Sequence, residues 1–388
     1  MNVAASLEGL RSVCIVAHFA YGAISGERTG HFGGVERQAS LLAPWLLSRG
    51  YRVTLLTWDE GKPGDEDIGG IHVVKMCRRD AGVRGIRFFH PRWTSLCKAM
   101  RKADADLYYQ NCAEYVTGQV ALWCARNDRR FIYSVASDPD CDPSLPKLRT
   151  LREKVLYRYG LRHADRVVVQ TRTQQRMLKE GFGVGASILP MACPQPRDGR
   201  TEAPDGGASI GFRVVWVGRL SRIKRPEMFV EIARANPDVS FDIVGAPDKE
   251  DEYASSLYRR AELLGNLTLH GRLPRERMDG VYRAASALCC TSESEGFPNT
   301  FLEAWSHGLP VVSTVDPDGV IASRALGAVV GDAESAGSAI RRLKEDAALR
   351  RAIAESARTY YRENHTIESV MPMYERMFLD ACRNGRTT

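Results

Sequence analysis

The stretch that decides the fold is Val214-Val215-Trp216-Val217-Gly218-Arg219-Leu220-Ser221-Arg222-Ile223-Lys224-Arg225-Pro226. An apolar run that ends in Gly, passes through cations and reaches a Pro reads as a buried strand, a turn and a helix start. The same grammar returns at Ala287–Cys290. Its polar exit, Thr291-Ser292-Glu293-Ser294-Glu295, leads through Gly296-Phe297-Pro298 into a short helix that stops at Gly308, followed by Val311–Ser313. Short apolar runs alternating with helix-like segments indicate parallel sheets with crossover helices.

Working outward, strands are also expected at Phe241–Val244 and Leu267–Leu269 in this half. In the other half they fall at Ser12–Ala17, Arg52–Trp58, Leu107–Gln110, Phe131–Val135, Arg166–Gln170 and Ser187–Leu189. Gly33–Ser48 reads as a helix, with Val35, Ala39, Leu42, Ala43 and Leu46 at helical spacing and Gly50 as its stop. From Pro194 to Gly211 the chain is rich in Pro, Gly, Asp and Ala without periodicity, which reads as a linker. At 388 residues the chain exceeds what one core usually serves, so two α/β domains are expected. Two doubly wound domains place a cleft between their strand carboxyl ends, where ligands bind. Ser338 to Arg383 is helical in pattern with a break near Asn364–His365, and periodicity does not say which domain it joins.

With 44% hydrophobic and 26% charged residues the chain is an ordinary globular one, which excludes large-scale disorder. A net charge of +7 suits an anionic small ligand, a nucleic acid or an acidic membrane. Lys and Arg are spread along the chain rather than gathered in a stripe, so no nucleic-acid partner is expected. The ten cysteines form no Cys-x-x-Cys pair and read as reduced, mostly buried thiols. No signal-peptide pattern is visible, and no run approaches the ~18 apolar residues that span a bilayer. A cytoplasmic protein is expected, and the sequons at Asn266 and Asn364 then stand as chance matches.

No Gly-x-Gly-x-x-Gly follows a strand and opens a helix, and no Gly-Lys-Ser/Thr loop exists. Nicotinamide, flavin and P-loop enzymes are therefore poorly supported. Gly181-Phe182-Gly183-Val184-Gly185 follows a helix and reads as its stop. Gly33-Gly34 precedes a helix: either a turn there needs positive φ, or the backbone must approach a ligand closely.

After Gly218, Arg219 offers planar bidentate contacts, Lys224 a point charge and the helix start a partial positive charge. Together these suit a diphosphate, although a solvated basic loop would read the same in isolation. The amides of Phe297, Pro298, Asn299 and Thr300 mark a second helix start, Pro298 lacking the N–H. Glu295 and Glu303, with seven residues between them, would be repelled by phosphate unless they met hydroxyls, so sugar hydroxyls are the sensible partners.

The pattern Gly-Arg-Leu-x3-Lys-x-Pro from Gly218, and Glu-Gly-Phe-Pro-Asn-x3-Glu-Ala-x3-Gly-x-Pro-Val-Val from Glu295, resembles the retaining glycosyltransferases of family four. His270-Gly271-Arg272-Leu273, Ala164-Asp165 through Gln170-Thr171, and Gly33-Gly34-Val35-Glu36 extend the resemblance over most of the chain. It implies a GT-B fold: α/β, with two Rossmann-like doubly wound domains facing a central cleft. Residues 1–200 would form the acceptor side, completed by a C-terminal helix at 368–388, and residues 210–367 the donor side.

The resemblance further implies a metal-independent, retaining hexosyltransferase with no cofactor. It would use a UDP- or GDP-linked sugar and a glycan, lipid-linked or small-molecule acceptor, in bacterial surface polysaccharide or glycoconjugate synthesis. Arg219 and Lys224 would hold the diphosphate, with Gly218 beside it and Gly34 approaching from the other domain. Glu295 would meet the transferred sugar beside Phe297, Pro298, Asn299 and Thr300, Glu303 the ribose, and Arg272 and Leu273 the base. The family often has a His after the strand at Phe131–Val135, where this chain has Ala136-Ser137-Asp138-Pro139-Asp140. Asp138 (or Ser137) takes part of that role, or donor phosphate alone handles the acceptor hydroxyl; Asp138 also reads as a turn-initiating residue. Ser286 stands where the family often has Asp, with little consequence expected.

His18 follows the first strand and faces the expected cleft, while His307 reads as a helix cap. The basic, aromatic stretch Arg87 to Lys102 either rests on the inner membrane surface or is a helix with a solvated basic edge. A catalytically silent nucleotide-sugar-binding or scaffold protein of the same fold is the alternative to an active transferase.

Overall fold

The computed structural model describes residues 10–27, 33–111, 114–196, 211–247 and 251–384. The chain divides into two compact units, one of residues 1–192 with 370–388 and one of residues 193–369. Of the Pro194–Gly211 linker, residues 197–210 lie outside the described residues.

The first unit is built on an eight-stranded sheet in the order β3-β4-β2-β1-β5-β6-β7-β8. Its strands are β1 (Ser12–Val16), β2 (Arg52–Thr57), β3 (Glu66–Ile68), β4 (Ile71–Lys75), β5 (Leu107–Asn111), β6 (Arg130–Ser134), β7 (Arg166–Val169) and β8 (Ser187–Ile188). All pairings are parallel except β3 with β4. Every residue of β1 is buried, as expected of a strand covered on both faces, which is why it reads as a continuous apolar run. β3 and β4 escaped the sequence reading. β3 is the polar edge segment Glu-Asp-Ile, and β4 interrupts its apolar run with His72. Gly69 and Gly70, at φ +57° and +86°, close the turn between them, a conformation that favours a Gly pair.

Helix Ile367–Asn384 carries the chain back to this sheet. Its Phe378 ring lies 5.6 Å from that of Tyr109 on β5, and Glu375 accepts a 3.0 Å hydrogen bond from the Tyr51 hydroxyl.

The second unit has six parallel strands in the order β11-β10-β9-β12-β13-β14. They are β9 (Arg213–Val217), β10 (Ser240–Val244), β11 (Leu267–Leu269), β12 (Ala287–Cys290), β13 (Val311–Ser313) and β14 (Gly327–Val329). Trp216, Phe229 and Phe241 anchor a core between the sheet and the helices Pro226–Ala235 and Ala333–Glu345. All the expected strands form, with ends within one residue of the sequence reading. β14 was not expected, because Gly-Ala-Val is short and only partly covered. The helical break near Asn364–His365 is present. A second one falls at Asp346, whose side chain accepts from the Leu349 amide at 2.8 Å and starts a new helix without interrupting the periodic pattern.

Six of the nine described cysteines are buried and none is in a disulfide; Cys112 lies outside the described residues. Burial holds the Cys14 and Cys124 thiols well above their ordinary pKa, so they remain neutral packing groups. Among the described residues no helix is long and apolar enough to cross a membrane.

Candidate active site

In the second unit the chain leaves β9, builds β10 and β11 on one side, and returns to place β12 on the other. Strand order therefore reverses between β9 and β12, and in open parallel sheets the crevice beyond the strand carboxyl ends at such a reversal is where ligands sit. The loop after β9 carries Gly218 to Arg225, and the loop after β12 carries Thr291 to Pro298.

The two loops are stitched together. Thr291 Oγ1 accepts from Trp216 Nε1 at 3.0 Å and donates to the Lys224 carbonyl at 2.8 Å. Arg225 Nε donates to the Thr291 carbonyl at 2.7 Å, and the Glu293 amide donates to the Ile223 carbonyl at 2.8 Å. Arg225 sits at φ +44°, an unfavourable conformation for a residue with a Cβ, and the bond to Thr291 helps hold it there. With the loops so fixed, Lys224 Nζ forms an ion pair with Glu295, whose carboxylate also accepts from Ser292 Oγ at 2.7 Å. Glu295 is 14% exposed and Lys224 26%, which leaves room for a ligand to reach both.

Arg219 is exposed on the same loop. Phe297 turns its ring toward Trp305 and His365, 6.1 and 5.4 Å between centroids, and Pro298 caps the helix Asn299–Ser306. Asn299 and Thr300 are that helix's first residues, so its N-terminal amides lie at the carboxyl edge of β12. Glu303, buried one turn further, is gripped by protein groups: Arg275 pairs with one oxygen, and the Tyr282 hydroxyl donates to the other at 2.5 Å. Arg272 is exposed and Leu273 half-buried in the loop after β11, beside Gly271 at φ +63°. His307 closes the helix as expected, with Nδ1 2.8 Å from the Glu303 carbonyl and Nε2 2.8 Å from Asp279; burial lowers its pKa.

In the first unit the strand order reverses at β1, flanked by β2 and β5. His18, just past β1, sets Nδ1 3.1 Å from Glu114, just past β5, and its ring lies 4.7 Å from Trp58 past β2. His18 is buried, and among the described residues its Nε2 has no hydrogen-bond partner. Gly33 is extended at φ −109°, Gly34 opens the helix Gly34–Ser48, and neither has positive φ, so the turn explanation does not apply to this pair. The Gly33 amide donates to Glu36 at 2.9 Å. Asp138 begins a 3₁₀ turn after β6 and accepts from Gln174 Nε2 at 3.0 Å. Asp140, fully buried, anchors that turn through the amides of Ala136 and Ser137, both at 3.1 Å.

The family described as "Glycosyl transferases group 1" matches residues 211–360, and the one described as "Glycosyl transferase 4-like domain" matches residues 33–192. This chain belongs to the group 1 glycosyltransferase family, of the family 4 type. It is 29% identical over 259 residues to the D-inositol 3-phosphate glycosyltransferase of Mycolicibacterium smegmatis, covering 62% of this chain and 58% of that one. The chain thus spans a little over half the length of that curated relative. Among solved structures, a sucrose-phosphate synthase from Thermosynechococcus elongatus superposes with a TM-score of 0.76 at 19% identity, over 95% of this chain and 98% of that one. Anabaena HepE in complex with UDP-glucose gives a TM-score of 0.73 at 16% identity, over 95% and 99%. The fold of this family 4-type chain is accordingly GT-B, an α/β architecture with two Rossmann-like parallel sheets.

Sequence reasoning missed Ser292, Thr291, Arg225, Arg275 and Tyr282, which hold the family's motif residues or flank them, and Glu114, which holds His18. Tyr282 lies on the helix Arg275–Ala284, but nothing local marks its hydroxyl as the partner of Glu303, 21 residues on. Only the proximity of Thr291 and Ser292 to Glu295 in the chain could have drawn notice.

Proposed function

We propose that this chain is a retaining hexosyltransferase that moves a sugar from UDP or GDP to a glycan, lipid-linked or small-molecule acceptor, in bacterial surface polysaccharide or glycoconjugate synthesis at the cytoplasmic face of the membrane. The observation that carries this reading is the Lys224–Glu295 pair bridging the loops of β9 and β12, where the sheet order reverses. Family membership and the UDP-glucose complex of HepE support it.

In this reading Arg219, Lys224 and the start of the helix Asn299–Ser306 bind the diphosphate and stabilise the charge that grows as the sugar–phosphate bond breaks. Glu295 accepts from hydroxyls of the transferred sugar, with the Phe297–Thr300 backbone alongside. Glu303, held in place by Arg275 and Tyr282, takes the ribose hydroxyls. Arg272 and Leu273 lie at the base. The bond from the anomeric carbon to phosphate oxygen breaks while the acceptor oxygen attacks from the same face, and the acceptor proton passes to the departing phosphate. Gly218 lets the backbone of its loop approach the phosphates. On the acceptor side, His18 with Glu114, and Asp138, are among the polar groups at the carboxyl ends of β1, β5 and β6. No metal is needed in this scheme, because the cations and helix end supply the positive charge.

A panel of uridine, guanosine and adenosine diphosphate sugars tests the donor. At a hundred times its Kd a nucleotide sugar adds about 2.7 kcal/mol, a shift of several degrees in Tm. Stabilisation by a UDP- or GDP-sugar is expected, and none by any member of the panel would overturn the reading. Transfer is expected to survive EDTA; strict metal dependence would contradict the charge scheme.

A further inference from the structure

A platform of exposed apolar side chains stands on the first unit, outside the strand-end residues just described. The loop after β4 and the irregular helical turn Phe88–Trp93 present Val83, Ile86 and Phe89. Beside them, the helix Leu151–His163 presents Leu151 and Val155 from its first turns. These five are between 55% and 75% exposed. Phe88, Phe89 and Trp93 share with Leu151 and Val155 the wall of an open hollow of about 490 Å³, so the two segments make one surface. Isolated exposed apolar residues are ordinary, but a contiguous group drawn from two separate segments marks a contact surface.

Its charge says what it contacts. Residues 78–93 contain five arginines against one aspartate, and residues 147–158 five cations against one glutamate. Arg84 and Arg149 are exposed, and the Arg152 guanidinium lies 3.7 Å from the Phe88 ring centroid, within the apolar surface. A second copy would bring these cations against their own kind, which disfavours self-association. Apolar tips surrounded by cations match an anionic bilayer, in which the tips enter the acyl boundary and the cations stay at the headgroups.

The platform also lies at the right edge of its unit. Residues 76–93 leave the carboxyl end of β4, and residues 135–150 run from the carboxyl end of β6 through Asp138 to Leu151. Phe88 packs on Tyr115, 5.4 Å between centroids, next to the Glu114 that holds His18. A surface at this edge would present a lipid-linked acceptor to the same strand ends that the proposed function assigns to the acceptor.

We propose that Val83, Ile86, Phe89, Leu151 and Val155, with the arginines around them, dock this chain on an anionic lipid surface. The proposal deepens the acceptor side of the proposed function, yet its test reads lipid binding alone. The full chain is expected to co-sediment with vesicles of equimolar phosphatidylcholine and phosphatidylglycerol, and to leave them in high salt. Replacing Arg84, Arg87 and Arg149 by Gln should weaken this by about fivefold per charge, and I86S/F89S/L151S by roughly tenfold or more. Both variants should keep the Tm and the donor-induced shift of the parent, since the residues replaced lie on the surface. Absence of binding to the anionic vesicles, equal binding to phosphatidylcholine alone, or variants that bind like the parent would each overturn the proposal. So would a dimer in sedimentation velocity that I86S/F89S/L151S dissolves, which would make a second copy the occupant. If no nucleotide sugar stabilises the chain but vesicle binding stands, the donor reading fails and the docking surface remains.

Discussion

Replacing Glu295 by Ala is expected to lower transfer by roughly a thousandfold while diphosphate binding is kept or tightened. Glu295 stands beside Lys224, and a carboxylate close to a phosphate site repels the ligand that Lys224 attracts. Removing it frees Lys224 and relieves that repulsion, so the nucleoside diphosphate should bind at least as well. In the proposed reading, what is lost is the acceptor for sugar hydroxyls, a contact that matters as the sugar–phosphate bond breaks. Lys224→Ala should behave differently, weakening diphosphate binding by about tenfold and slowing transfer as well. The fold should tolerate either change, since a partly exposed ion pair contributes about 0–1 kcal/mol. Calorimetric titration with the diphosphate, run beside initial rates of transfer, separates the two roles. Turnover by E295A within tenfold of the parent would remove Glu295 from the reaction; K224A with parental affinity and rate would remove Lys224 from the site.

Gly245→Ala should be among the most damaging single substitutions in the second unit, costing on the order of 3–5 kcal/mol. Gly245 follows β10 at φ +151°, a conformation left to glycine, and a Cβ built there would fall 1.7 Å from the carbonyl oxygen of Gly218. The clash is with backbone, which has no rotamer to escape into. The same stretch is pinned on both sides: the Gly245 amide donates to the Gly271 carbonyl at 2.8 Å, and the Gly218 amide to the Val244 carbonyl at 3.1 Å. Accommodating a methyl would therefore push the loop that carries Arg219 and Lys224, so donor binding should fall together with stability. Gly265→Ala is the control, because nothing lies within 4 Å of the Cβ it would gain. Melting curves for the two variants should differ by many degrees, the cooperative transition of the second unit moving only for G245A. Equal Tm values would show that the β9 and β10 ends are not packed as described.

The parts of the site that could be read directly are those contiguous in the chain. Gly218, Arg219 and Lys224 share one loop, and Glu295 to Glu303 one loop and one helix, so an expectation of a diphosphate and sugar hydroxyls could be formed from the two segments together without tertiary information, although the basic loop alone reads equally as a solvated one. The strands were legible for a related reason: when both faces of a parallel strand are covered, its apolar run is unbroken. β3, β4 and β14 were not, because polar residues, a His or a short half-covered run erase that local signal.

Other features depend on which strands become neighbours. Periodicity along the chain says that a segment is a strand, but crossover connections decide where it is placed. Putting β12 beside β9 brings Glu295 to Lys224 across 71 positions, and putting β5 beside β1 brings Glu114 to His18 across 96. The same long-range packing gives Glu303 its Arg275 and Tyr282 and places the last helix on the first sheet. The sequence by itself therefore determined which groups are available and the class of ligand they suit, because charge, hydrogen-bonding capacity and turn chemistry are local properties. Only the tertiary structure decided which groups meet, because sheet order is a property of the whole domain.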